Sequence, residues 1–429
     1  MANKEKESFV IHGTVVYSGN KDKLQTFDNA YIVCIKGRSG GVYEVLPDEY
    51  KDLPLLETGG KLIIPGFIDL HIHAPQYQFR GNGMDMELLP WLETYTFPEE
   101  SKYGDISYAE KAYGMFVDEM KKSATTRACI FATSHREASL RLMEMLDETG
   151  LVTCVGKVNM DRNVPDYYVE STGESLSETE EWIKESESRG FSNTRPIITP
   201  RFTVSCTREL MKGLADLAEK YDLPYQSHLS ENLSEIELVK KLEPDTSCYA
   251  DSYLKAGLLK KGRPGIMAHC VWSDDGELEI LKEYGVFPVH CPESNTNLAS
   301  GAAPVKKYME MGLNVGLATD VAGGTTTSML ASIRLAIQVS KLRYRLYDKD
   351  TEALTFPEAF FLATKGGGAF FGNAGSFDKG CPFDALIVDD MAIPTMRKDL
   401  TPEERAERFI YLGDERYISG KYADGVRVI

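Results

Sequence analysis

Four of the seven histidines and one aspartate fall at the ends of short apolar runs in the middle of the chain. His71 and His73 close FIDLHIH (67–73). Residues two apart in a strand project from the same face, so these two imidazoles stand side by side. Alone, the pair reads equally well as two histidines satisfied by hydrogen bonds. His228 in PYQSHLSE (224–231), His269 in GIMAHCV (265–271) and Asp320 closing NVGLATD (314–320) change that reading. Three imidazole nitrogens and a carboxylate suit a borderline divalent metal such as zinc, with a position left for water. The ligand set read from the sequence is His71, His73, His228 and Asp320. Zinc lowers the pKa of bound water from about 15.7 to about 7, which supplies hydroxide at neutral pH. Asp320 would touch the metal and accept the water's proton; its other reading is an N-cap, since VAGGTTTSM follows.

Two more residues belong to this chemistry. Glu231, three positions after His228, would carry a proton to a substrate nitrogen and on to a leaving group. Its other reading is a solvent-facing carboxylate at the start of the helix SENLSEIELVKKL, where the helix dipole favours it. His269 would polarise an oxyanion or hydrogen-bond the metal-bound water, or else be a satisfied core histidine. His12 reads as structural, His135 lies near the mouth and His290 shapes the pocket rim; none is counted as a ligand.

These positions require the runs to be strands of one barrel. Besides the three already quoted with FIDLHIH, the candidates are TRACIFAT (126–133), LVTCVGKVNMD (151–161), RPIITPRF (195–202) and VFPVHCP (286–292). Helical stretches such as SYAEKAYGMFVDEMKKS and TRELMKGLADLAEKYD lie between them. Eight strands with intervening helices predict an α/β fold, a (β/α)8 barrel, whose sites sit at the strand C-termini. Residues 8–66 instead alternate short β-like runs with turns, as a small antiparallel unit does. PFDALIVDD and RYISGKYADGVRVI repeat that texture. Neither end offers enough strands to bury a face alone. The two ends, 1–66 and 376–429, are therefore read as one discontinuous small β-sandwich domain, with the metal-dependent hydrolase barrel in 67–375.

The 429 residues are 42% hydrophobic and 26% charged, which suits a soluble globular enzyme with a large core. A net charge of -17 repels nucleic-acid backbones and anionic membranes, so neither is an expected partner. There is no apolar signal-peptide core and no run of transmembrane length. Eight cysteines are scattered without a CxxC pair, which predicts a cytoplasmic protein with reduced thiols. ESLSETEEWIKESESRG (174–190) reads as a solvated helix face.

PGFIDLHIH, SHLSE, AHC, HCPESN and LATD together resemble the amidohydrolase superfamily, in its mononuclear branch that deaminates heterocycles. Dinuclear members carry a carbamylated lysine at the end of the fourth strand; here TPRF places Arg201 there. HAPQYQFRG, MELLPWLETYTFPEE and TPRFTVSC narrow the resemblance to members that act on guanine, over about residues 60–390. The resemblance implies one zinc per chain, hydrolysis of guanine to xanthine and ammonia, and a homodimer. It also implies a purine pocket of Gln76, Arg201 and Phe202, with Glu231 and His269 working beside the metal. The residue types agree. Arg201 offers a rigid fork of donors, Gln76 a donor and an acceptor, and Phe202 and Trp91 flat apolar faces. The mechanism expected is attack of hydroxide on C2, with Asp320 taking the water's proton and Glu231 protonating the adjacent ring nitrogen. Two rivals stay open. One is a related barrel deaminase of cytosine, an adenosine derivative or a triazine, which the metal core alone does not separate. The other is a catalytically dead scaffold, which would have lost ligands kept here. The HxE and PCxxC pair of the other zinc-deaminase scaffold is not present as a working pair.

Overall fold

The structure, a computed structural model, describes residues 6–429. It opens with β1 (Phe9–Ser18), β2 (Leu24–Ile35), β3 (Arg38–Tyr43) and β4 (Leu55–Pro65). The central runs then form β5 (Phe67–His73), β6 (Thr125–Phe131), β7 (Val152–Gly156), β8 (Val158–Asn159), β9 (Thr194–Pro196) and β10 (Thr199–Pro200). They continue with β11 (Tyr225–Leu229), β12 (Gly265–His269), β13 (Val286–His290) and β14 (Gly316–Leu317). Two parallel sheets, β5-β6-β7-β9 and β11-β12-β13-β14, make the two halves of a ring. One seam closes where Ile198 N donates to Pro224 O at 2.9 Å and Gln226 N to Ile198 O at 2.9 Å. The other closes where Asp320 N donates to His71 O at 2.9 Å and His73 N to Val321 O at 3.1 Å. The ring is the expected eight-run barrel. RPIITPRF is not one continuous strand, because Pro196 and Pro200 have no N–H to give a ladder; it contributes β9 and β10 instead.

Ile68, Leu70, Cys129, Cys154, Ile197, Ile266, Ala268, Val289 and Ala318 form one buried cluster. It draws on strands all round the ring and is therefore the barrel interior. A bulge in β5 shifts the alternation above it. Asp69 pairs with Ala128 and Ile72 with Ile130, three steps on β5 against two on β6. Ile68 and Leu70 can thus fill the interior while His71 and His73 occupy the same side at the mouth. The helices sheathe the outside. The acidic stretch forms the helix Thr172–Arg189, with a capping box of Ser171 and Glu174 and a left-handed Gly190 at its end. Its acidic face is solvated as expected, but Trp182 and Ile183 on the other side are buried.

After the barrel come β15 (Ala385–Val388), β16 (Ile418–Ala423) and β17 (Val426–Arg427). They join the first four strands in the order β17-β16-β15-β4-β1-β2-β3. The strands expected as a sandwich are thus one hydrogen-bonded sheet. It is mixed rather than wholly antiparallel, since β4 runs parallel to β1. β4 must feed directly into β5, and that fixes its direction. Alternate residues separate its faces. Ile63, Ala385 and Ile387 pack with Ile11, Ile32 and Phe383, while Leu62, Ile64, Leu386 and Val388 join the main core.

Two polar ties bind this sheet to the barrel. The Arg127 guanidinium on β6 pairs with Asp384, its Nη2 donating to Oδ1 at 3.0 Å. Lys421 Nζ donates to Met120 O at 3.0 Å, Lys121 O at 3.1 Å and Ser123 O at 2.8 Å. These carbonyls end the helix Ile106–Lys122. Lys421→Met would strand all three, at about 1–3 kcal/mol for each buried group left unsatisfied. The expected outcome is a clear fall in the thermal midpoint; an unchanged midpoint would show that the carbonyls find other donors. Among the described residues no helix is long and apolar enough to cross a membrane.

Candidate active site

The barrel mouth gathers the residues singled out above. His71, His73, His228, His269, Glu231 and Asp320 are all buried. His73 Nε2 lies 3.2 Å from His228 Nε2. Asp320 Oδ1 lies 3.1 Å from His71 Nε2 and 3.5 Å from His73 Nε2. Metal–nitrogen bonds of about 2.0–2.1 Å place two ligands of one tetrahedral ion about 3.3 Å apart, and these spacings match that edge. Both nitrogens of His71 and Nδ1 of His73 have no hydrogen-bond partner. Nε2 of His73 and Nε2 of His228 meet across the nest, beside the partnerless Nε2 of His71. His228 Nδ1 lies 2.7 Å from Arg201 O. A carbonyl only accepts, so Nδ1 carries the hydrogen and Nε2 keeps its lone pair. Burial lowers the pKa of His71, and of His73 and His228 still further, which keeps the rings neutral and able to ligate. Phe131 packs on all three rings, with centroids 4.6 to 4.9 Å away, and forms an apolar floor. His71, His73 and Asp320 are grouped closely enough to hold one divalent ion, and His228 stands beside them with its Nε2 against that of His73.

Local backbone places these groups. Ser230, His269, Cys270 and Asp320 all have φ between 47° and 73°. This region is uncommon for side-chain-bearing residues and concentrates at functional sites. Asp320 does not cap a helix, because the next one begins at Met329. Glu231 is not solvent-facing either; the helix Leu233–Leu242 is capped by Asn232 instead. Ser300 Oγ donates to Glu231 Oε1 at 3.1 Å, leaving Oε2 3.4 Å from His269 Nε2. Burial, with help from Glu235 and Asp320, raises the Glu231 carboxyl to about 7. That value suits a group that takes and gives a proton near neutral pH. His269 Nδ1 meets Asn295 Oδ1 at 2.8 Å, which turns Nε2 toward Glu231 and Asp320. Burial opposes charge on His269, yet the two carboxylates raise its pKa.

A pocket opens above this nest. Of the ten residues expected at the site, all but His71 line it, together with Leu88, Leu92, Leu298 and Gly323. Trp91 lends a ring face while its Nε1 is held by Asn82 O at 3.1 Å. Arg201 and Gln76 both rest on a residue that the sequence did not reveal, Glu100. Nothing in the stretch FPEE itself marks its second glutamate as buried. Asp69 was also missed. It accepts from Thr319 N at 3.1 Å and from His71 N at 3.3 Å beneath the nest. An aspartate inside the apolar run FIDLHIH was the available signal. His135 and His290 are outside the pocket lining, and His12 pairs with Glu57 in the terminal sheet.

A barrel with a buried nest of three histidines and an aspartate at its C-terminal mouth defines a metal-dependent hydrolase. The model described as Amidohydrolase family matches residues 62–428, and the chain belongs to that family. Within it, the chain is 39% identical to the guanine deaminase of Dictyostelium discoideum, over 97% of each chain. It is 42% identical to the guanine deaminase of Mus musculus, over 86% of this chain and 83% of that one. The crystal structure of guanine deaminase from C. acetobutylicum with bound guanine superposes with a TM-score of 0.95 at 45% identity. That superposition covers 98% of this chain and 100% of the other.

Proposed function

We propose that this chain hydrolyses guanine to xanthine and ammonia with one zinc ion per chain. One observation carries the reading: a single pocket joins the histidine–aspartate nest, the Glu231–His269 pair and the Arg201–Gln76 donors. The identity shared with a guanine-bound relative supports it. Zinc held by His71, His73, His228 and Asp320 would supply the Lewis acidity that makes water nucleophilic near neutral pH. The chain's own residues do the rest. Arg201 and Gln76 hold the base by its carbonyl edge, and Phe202 and Trp91 wall the ring, with C2 set above the nest. Asp320 takes the proton of the attacking water. Glu231 delivers a proton to N3, and a proton then reaches the amine, which leaves as ammonia. His269, held by Asn295, hydrogen-bonds the oxygen arriving at C2.

The test is product formation by zinc-supplied protein, with one xanthine and one ammonia expected per guanine. Ammonia from cytosine, an adenosine derivative or a triazine, with none from guanine, would overturn the purine assignment and keep the metal site. Phe202→Ala is expected to raise KM about tenfold at little cost in kcat, since base–aromatic contact is worth about 1–3 kcal/mol. An unmoved KM would remove Phe202 from the pocket wall. The same reading includes a homodimer in the cytoplasm. Eight free cysteines support the compartment. The exposed Leu342, Leu346 and Tyr347 at one helix end offer apolar area that a second copy would cover. Light scattering at twice 47.9 kDa is expected, and the mass of a single chain would refute the dimer.

A further inference from the structure

Glu100 ends the short helix Phe97–Glu100 and is fully buried beneath the pocket. Its Oε1 accepts from Gln76 Nε2 at 2.9 Å and from Arg201 Nη2 at 3.1 Å. Its Oε2 accepts from Arg201 Nη1 at 2.7 Å and from the Tyr168 hydroxyl at 3.2 Å. A buried ion pair is weak support for stability, because its desolvation offsets the attraction and apolar residues of similar volume do as well. What this pair does supply is geometry. The planar guanidinium is clamped at both terminal nitrogens, which fixes its fork.

The Gln76 amide is fixed too. Its Oε1 accepts from Ala322 N at 3.2 Å while its Nε2 faces a carboxylate. A backbone N–H only donates and a carboxylate only accepts, so this amide has one orientation. Arg201 also reaches the metal side, since its backbone oxygen meets His228 Nδ1 at 2.7 Å. One buried carboxylate thus sets the direction of both polar groups expected to read the base.

We infer that Glu100 is the positioning residue for base selectivity, locking Gln76 and Arg201 as donors so that the pocket accepts a 6-oxo purine and rejects a 6-amino one. This rests on the guanine reading above. An amide free to turn would offer its oxygen to a 6-amino group; the locked amide opposes that group with a donor. A site built on such donors discriminates far more strongly than an apolar pocket.

The test compares guanine with 2,6-diaminopurine, which keeps the C2 amine and replaces the carbonyl with an amine. Glu100→Gln removes the charge and the carboxylate end of the lock on Gln76, leaving only the Ala322 N–H to orient the amide. Its KM for guanine is expected to rise at least ~10-fold with kcat within about threefold, and the guanine preference in kcat/KM to fall at least ~10-fold. Metal content should stay at the wild-type level. Glu100→Asp keeps the charge for folding but cannot reach both partners. It should show the same direction and carries the test if the first variant does not fold. A folded variant with an unmoved preference overturns the role, as does loss of kcat and metal with KM unchanged. Wild-type protein that leaves guanine untouched overturns the activity itself. Wild-type turnover with an unmoved preference overturns only the assignment of Glu100.

Discussion

Glutamine in place of Glu231 is expected to cut guanine turnover about 10³-fold while the metal stays bound, because proton transfer by a positioned acid contributes about 10²–10⁴. The substitution keeps the shape of the side chain. Its amide oxygen can still accept from Ser300, which holds the carboxylate at 3.1 Å in the wild type. What it loses is a transferable proton. Glu231 stands outside the nest of His71, His73, His228 and Asp320, so metal content should be unaffected, and KM should move little because no base-reading group is touched. Turnover and metal analysis on one preparation decide the matter. Near-normal turnover would remove Glu231 from the proton path, and loss of metal would make it a ligand instead.

Stripping the metal with a chelator is expected to abolish turnover, and returning zinc to restore it. The same treatment should lower the melting midpoint. The nest presses nitrogens and a carboxylate to within 3.1 to 3.5 Å of one another, with no hydrogen-bond partner for either nitrogen of His71. Such a cluster carries an uncompensated cost when it is empty. An ion at about a thousand times its dissociation constant adds about 4 kcal/mol of stability. Melting curves with and without zinc, read beside the rate, check both halves. Full activity in the stripped protein would end the metal-hydrolase reading.

The part of this site legible in the sequence is the part that repeats with the strands. His71 and His73 were readable as neighbours because alternation in a strand is local, and His228, His269 and Asp320 because they close apolar runs. The bulge in β5 was not readable, since it shows only when Asp69 and Ile72 are set against Ala128 and Ile130. Glu100 escaped because its burial is decided by Arg201, Gln76 and Tyr168, which lie far from it in sequence. The barrel followed from the alternation of runs and helices. The parallel pairing of β4 with β1 did not, because direction in a sheet is set by where the chain must go next.

The terminal sheet also imposes an order on synthesis. Ile63 on β4 pairs with Ile387 on β15, so one edge of β4 has no partner until the whole barrel has been translated. At roughly 5–20 residues per second, that wait lasts roughly 15–65 s. During it, β1 to β4 expose an open, largely apolar edge of the kind that recruits foreign strands. The seven-stranded sheet is completed only after the ribosome has finished the barrel, and until then the β4 edge stays open to strands other than β15.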